Sequence, residues 1–123
     1  YGGKQEGTYF EPTIITNCDD SMKVMQEETF GPLLAIEEFS DENEVIDKVN
    51  TSDYALGCSI FTEDEYIINK MVRELREPAV FVNELVKSDP RMPFGGYKKS
   101  GYGRELAEEG IREFSLIKTI YRK

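Results

Sequence analysis

Three short apolar runs, separated by two segments of helical period, restrict the fold of this chain more than any other feature. Leu33-Leu34-Ala35-Ile36 with Phe39, Gly57 to Phe61, and Ala79-Val80-Phe81-Val82 each have the length and composition of a strand. After the first run, Ser40 caps a segment with acids in its first turn and Val45, Ile46 and Val49 on one face. After the second, Thr62 and Glu65 form a Thr-x-x-Glu capping box, and Ile67, Ile68, Met71, Val72 and Leu75 make an amphipathic stripe that Pro78 ends. Strand, helix, strand, helix, strand with such short connections predicts an α/β fold: a three-layer βαβαβ arrangement on a parallel three-stranded sheet with two right-handed crossovers. Ligands of such sheets sit beyond the carboxyl ends of strands. The stretch from Asn83 to Gly103 is therefore the first place to look for a site, and at about 20 residues it is too long for a mere connector.

The flanks are less regular. Residues 1–8 hold Gly2, Gly3 and Gly7 and read as a loop, while Tyr9 to Ile15 is β-prone but interrupted by Pro12, which a sheet tolerates only at an edge or bulge. From Glu113 to Tyr121, Phe114, Leu116 and Ile120 alternate with Ser115, Ile117, Thr119 and Tyr121, with Lys118 interrupting the first face. That is a strand by period with apolar groups on both faces, and no other segment is an obvious partner for its backbone. An unpaired edge recruits another strand, so residues 113–121 are expected to build a homo-oligomer, most simply a two-fold dimer. A tail folded back on its own helices is the alternative.

Charge and composition exclude several kinds of chemistry. Fifteen Lys and Arg stand against 24 Asp and Glu, a net charge of −9, which argues against nucleic acid and against an anionic membrane surface as partners. There is no histidine, so the commonest general base, metal ligand and triad member is missing. Cys18 and Cys58 have no Cys-x-x-Cys spacing and no companions for a metal site, so none is expected and a reducing, cytoplasmic setting is. No apolar run approaches the roughly 20 residues of a membrane span, and the opening residues are not a signal peptide. At 14.1 kDa the chain fits one domain. Its first residue is Tyr1, so it is expected to be a piece of a longer protein or to have lost something before it.

The candidate residues give little by themselves. Gly101-Tyr102-Gly103-Arg104-Glu105-Leu106 lacks the last glycine of a dinucleotide loop, and no P-loop spacing occurs. Tight backbone turns are the better reading of these glycines. Glu27 and Glu28 precede Phe30-Gly31-Pro32 and on composition form a solvated acidic patch. Cys18 lies beside Asn17 and two aspartates, whose charge disfavours a thiolate, and Cys58 is a small hydrophobe inside a strand. No catalytic residue is assigned within the chain.

Several ordered motifs nevertheless carry a resemblance. Glu27-Glu28-Thr29-Phe30-Gly31-Pro32 is similar to the Glu-Glu-x-Phe-Gly-Pro signature of the aldehyde dehydrogenase superfamily, and Pro93-Phe94-Gly95-Gly96-Tyr97-Lys98-Lys99-Ser100-Gly101 resembles its Pro-Phe-Gly-Gly-x-Lys-x-Ser-Gly. Tyr9-Phe10-Glu11-Pro12-Thr13, Ser59-Ile60-Phe61-Thr62, Val82-Asn83, Gly103-Arg104-Glu105 and Ile117-Lys118-Thr119 extend it over nearly the whole chain. A small departure is Tyr54-Ala55-Leu56, where the family commonly has Tyr-Gly-Leu.

The resemblance implies the C-terminal quarter of such an enzyme: residues 1–112 as part of a catalytic domain and 113–123 as an oligomerisation strand. It implies a cysteine thiolate that attacks an aldehyde, hydride transfer to NAD or NADP, and a glutamate that activates water. Those catalytic groups and the cofactor domain precede the segment that begins at residue 1, so the chain alone is expected to be inactive. By similarity Glu28 accepts hydrogen bonds from the hydroxyls of the nicotinamide ribose, as a carboxylate can, and Phe30 packs beside the nicotinamide. Asn83 to Arg91 looks most like the succinate-semialdehyde dehydrogenase branch, in which a serine at the position of Ser88 holds the far carboxylate of the substrate. Arg91 is a possible second anchor, with a surface arginine as the plainer reading. A truncated remnant that folds, self-associates and does no chemistry is the rival expectation.

Overall fold

In the computed structural model, which describes all 123 residues, the chain divides into two units, Tyr1–Val45 and Ile46–Lys123. In the first, residues 1–8 are more ordered than a loop. The strands β1 (Gln5–Glu6) and β2 (Tyr9–Phe10) pair antiparallel across a two-residue turn that Gly7 opens at φ 59. Pro12 cannot donate to a ladder, and β3 (Thr13–Ile15) begins immediately after it. After the short helix α1 (Lys23–Gln26), β4 (Leu33–Ala35) lies parallel to β3 with Thr13 opposite Leu33 and Ile15 opposite Ala35. The pair is closed at its ends by Thr13 N donating to Pro32 O at 2.8 Å and Ile36 N donating to Ile15 O at 2.8 Å.

The helix α2 (Glu42–Thr51) begins as the acids in its first turn predict, but its cap is one residue later than expected. Asp41 Oδ1 accepts from the backbone N–H of Asn43 and Glu44, while Ser40 donates its own N–H and hydroxyl to Glu44 Oε2. In the second unit β5 (Tyr54–Ala55), β6 (Cys58–Ile60), α3 (Glu65–Glu74), β7 (Val80–Val82), β8 (Tyr97–Lys98) and α4 (Ala107–Glu113) follow in order. The cap of α3 is Asp64, whose carboxylate accepts from Tyr66 N and Ile67 N. Thr62 instead accepts from Asp64 N, so the expected Thr62–Glu65 box is replaced by a stronger carboxylate cap two residues on. The helix ends at Glu74, with Leu75 N bonded to Met71 O, before Pro78 is reached. Strand β7 runs parallel to β6, with Cys58 opposite Val80 and Ile60 opposite Val82, and β8 runs antiparallel to β5.

The α/β class with parallel pairing therefore stands, whereas the single three-stranded sheet does not: four two-stranded sheets form, and β4 takes β3 as its partner. Thr13–Ile15 is itself a β-prone apolar run, and periodicity carries no information about which edge a three-residue strand will choose. Ile46, Ala55, Ile60 and Met71 are the buried side chains of the second unit. Met71 is on the predicted stripe of α3, although Val72, also on it, remains exposed.

The expected strand at 113–121 is absent. Glu113 ends α4, and residues 116–123 take no regular structure, with Leu116 and Ile117 both 99% exposed. A lone strand cannot satisfy its own N–H and C=O groups, so alternation without a neighbouring edge does not produce one.

Two consecutive non-glycine residues, Leu106 at φ 65 and Ala107 at φ 49, occupy the left-handed region at the start of α4. The twist lets Ala107 N reach Pro90 O at 3.2 Å. Such a conformation costs a residue with a Cβ roughly 1 kcal/mol. Ala107→Gly is therefore expected to stabilise the chain by about 0.5–1 kcal/mol in urea denaturation, and a lower midpoint would show that the alanine is unstrained.

Candidate functional site

The long segment after β7 is built by fastening both ends. At the first end Asn83, at φ 53, donates its N–H to Ile60 O at 2.7 Å, while its side chain accepts from Thr62 N and donates to Thr62 O. One asparagine thus joins the carboxyl ends of β6 and β7 and turns the chain. At the other end Phe94 and Glu105 exchange backbone hydrogen bonds of 2.9 and 2.7 Å. Arg104 donates to Gly96 O and lies 4.3 Å over the Tyr97 ring, a cation–π contact.

Three consecutive residues then tie this end to the α2–β5 corner. Lys98 Nζ donates to Asn50 O at 2.9 Å and Ser52 O at 2.7 Å, at a helix C-terminus where carbonyls lack partners and a cation is favoured. Lys99 Nζ meets Asp53 Oδ2 at 2.5 Å, and Ser100 Oγ accepts from Ala55 N at 3.0 Å. The Lys99 ammonium holds the Asp53 carboxyl below its usual range and is itself raised in return. Gly95 and Gly96 are there for close backbone approach, as the turn reading expects: a Cβ on Gly95 would meet Gly103 O at 2.5 Å.

Between the fastened ends the charges are paired locally. Lys87 meets Glu84 at 2.6 Å, and Arg91 grips Asp89 through Nε at 2.9 Å and its terminal nitrogen at 2.6 Å. The Arg91 hydrogen bonds hold the Asp89 carboxyl far below the carboxylate range, and those of Lys87 lower Glu84. Arg91 is therefore committed to Asp89, which agrees with the plainer reading of it. Ser88 is exposed and its hydroxyl engages no partner in the chain. It stands between Lys87 and Asp89, two of the residues lining an open groove of about 400 Å³ whose floor includes Val80, Val82, Met92 and Phe94.

The other predicted residues lie in the first unit. Gly31 N bonds to Thr29 O and Leu33 N to Gly31 O, two successive tight turns that leave the Phe30 ring 94% exposed. Glu27 has Lys23 at 4.0 Å, whereas the exposed Glu28 carboxylate makes no bond within the chain. The two acids of the motif are thus distinguished by partner, and the second is the available acceptor. Both thiols are free. Cys18 is 6% exposed with Sγ 3.6 Å from Ile15 O, and Cys58, half-buried, is raised first by burial and then by the charge of Glu77. No cluster of metal-ligating side chains occurs, and no helix is long and apolar enough to cross a membrane.

The sequence profile of the Aldehyde dehydrogenase family matches residues 1–120. The chain belongs to the aldehyde dehydrogenase family. It is 40% identical over 118 residues to betaine aldehyde dehydrogenase of Bacillus subtilis, covering 96% of this chain and 24% of that protein. To succinate-semialdehyde dehydrogenase [NADP(+)] 1 of Mycobacterium ulcerans it is 41% identical over 123 residues, covering 98% of this chain and 27% of that protein. Among solved structures, betaine aldehyde dehydrogenase of Staphylococcus aureus, in complex with NAD+, superposes with a TM-score of 0.86 at 40% identity, over 93% of this chain and 24% of that one. The chain spans about a quarter of the length of these relatives.

Within this aldehyde dehydrogenase segment, sequence reasoning missed the fasteners. Lys98, Lys99 and Ser100 act on residues 45 to 48 positions away, and no local pattern announces such contacts. Asp89 could have been found, since Asp before Pro is a turn signal with a mechanism of its own.

Proposed function

We propose that these residues work in an NAD(P)-dependent aldehyde dehydrogenase, located in the cytoplasm, that oxidises an aldehyde with an anionic far end, succinate semialdehyde, and that the 123-residue chain alone performs no oxidation. The observation that carries the reading is the set of side chains left unengaged while their neighbours are paired: Glu28 beside the projecting Phe30, and Ser88 between two residues that line the groove. These fit a nicotinamide nucleotide and a carboxylate. Glu28 accepts from the two ribose hydroxyls and so fixes the rotation of the sugar. Phe30 offers an apolar face that keeps water from one side of the nicotinamide, and Ser88 donates to the remote carboxylate. The cofactor, when bound, supplies the hydride acceptor. The NAD+ complex of the Staphylococcus aureus relative and the name of the Mycobacterium ulcerans relative support this reading.

In the complete enzyme Glu28→Gln keeps the shape but removes the charge. Hydride transfer is expected to slow by an amount equivalent to about 1.5–3 kcal/mol, and unchanged kcat and cofactor KM would reject the assignment. Succinate semialdehyde is expected to exceed betaine aldehyde in kcat/KM. The reverse order would move the substrate to the trimethylammonium class named in other relatives.

The exposed tail favours a second reading, a chain that folds and self-associates without chemistry. Either way residues 113–121 are expected to join copies of the chain. Sedimentation should give an oligomer that Ile117→Lys with Ile120→Lys reduces to a monomer; a monomer before mutation, or an unaltered oligomer after it, removes the tail from the assembly.

A further inference from the structure

We propose that Asp89 is a positioning residue that aims Ser88 at the remote carboxylate, acting through a backbone turn and not through its charge pair with Arg91; this rests on the reading of Ser88 as a substrate contact. Ser88 has no side-chain partner of its own, so nothing but the backbone from Ser88 to Pro90 fixes where its Cβ stands and hence which positions its hydroxyl can reach. Pro90 fixes its own φ and drives Asp89 out of the helical region. Asp89 Oδ1 accepts from Arg91 N at 2.9 Å, closing a turn around Pro90, and Asp89 O accepts from Met92 N at 3.0 Å. Pro90 O is anchored in turn by Ala107 N, the strained residue at the start of α4. Four residues after Ser88 are thereby held from two sides.

The charge pair has a different status. The Arg91 side chain is 85% exposed and that of Asp89 only 24%. A guanidinium so open to water adds little to the geometry, whereas loss of the carboxylate oxygen removes the side-chain bond to Arg91 N that closes the turn. An amide oxygen at the same place keeps that bond. The turn, and with it the aim of Ser88, should survive loss of charge and fail on loss of the acceptor.

The test is the ratio of kcat/KM for succinate semialdehyde to that for butanal in the complete enzyme. Ser88→Ala is expected to lower the ratio about tenfold. Asp89→Ala should lower it as far, and the Ser88→Ala, Asp89→Ala double variant no further than either alone. Asp89→Asn and Arg91→Ala should stay within about twofold of the parent. If Asp89→Ala does not fold, Pro90→Gly, which loosens the turn with the charge pair intact, should lower the ratio while Arg91→Ala does not. A ratio unmoved by Ser88→Ala removes the substrate reading and this proposal with it. A ratio lowered by Ser88→Ala but not by Asp89→Ala or Pro90→Gly, an additive double variant, or Asp89→Asn as damaging as Asp89→Ala, overturns the positioning role alone.

Discussion

Mixed with succinate semialdehyde and NAD+ or NADP+, the 123-residue chain is expected to reduce no cofactor faster than its Cys18→Ala, Cys58→Ala double variant does. Covalent catalysis of aldehyde oxidation needs a thiolate that a carbonyl can reach. Cys18 is buried with its sulfur turned to a backbone oxygen, and the half-buried Cys58 has its thiol pushed up by burial and by Glu77. There is no histidine to take a proton from either. Enzymes accelerate their reactions in total by typically about 10⁶-fold or more, and with neither thiol able to attack the expected signal is the uncatalysed background. Cofactor absorbance above the double variant's rate would overturn this.

Gly96→Ala is expected to be strongly destabilising. Gly96 is buried, and a Cβ there would stand 2.6 Å from Ser100 C and 2.6 Å from Ser100 O. Those atoms are backbone, and the adjoining hydroxyl is held by Ala55 N while Lys99 is held by Asp53, so the segment cannot step aside. Overpacking of this kind costs roughly 3 kcal/mol. Gly31→Ala is the control, because its Cβ would meet only Thr29 Cγ2, at 3.9 Å. Equal urea midpoints for the two variants would show that the 95–101 segment yields more readily than its contacts imply.

What was legible beforehand follows the range of the interactions involved. The strands β4, β6 and β7 and the helices α2 and α3 were readable because apolar period and acidic first turns act over a few residues. Which strand pairs with which was not, because Thr13–Ile15 competes for Leu33–Ala35 through backbone groups that every residue shares. A hydroxyl before a helical period is an ambiguous cap signal: Ser40 and Thr62 stand where caps are expected, and the carboxylates of Asp41 and Asp64 further along the chain take the backbone donors. Glu28, Phe30 and Ser88 came from resemblance, and their chemistry could not have been read from composition. The commitment of Arg91 to Asp89 and of Lys98 to the end of α2 became visible only when the chain was folded.

Asn50 shows what that last contact entails. Its side chain donates to Glu74 O at 2.9 Å and accepts from Arg76 N at 2.7 Å, while its own carbonyl takes the Lys98 ammonium. One residue is thus a junction for three strands of chain that are far apart in sequence: the end of α2, the exit of α3, and the segment that follows the groove. Drawing the Lys98 ammonium away strips Asn50 O of its cation and loosens the corner that carries Arg76 N. The amide proton of Arg76 should accordingly exchange in step with that of Lys99, whose N–H is bonded to Asp53 O, so that a probe placed at the exit of α3 reports whether the 97–100 segment is fastened.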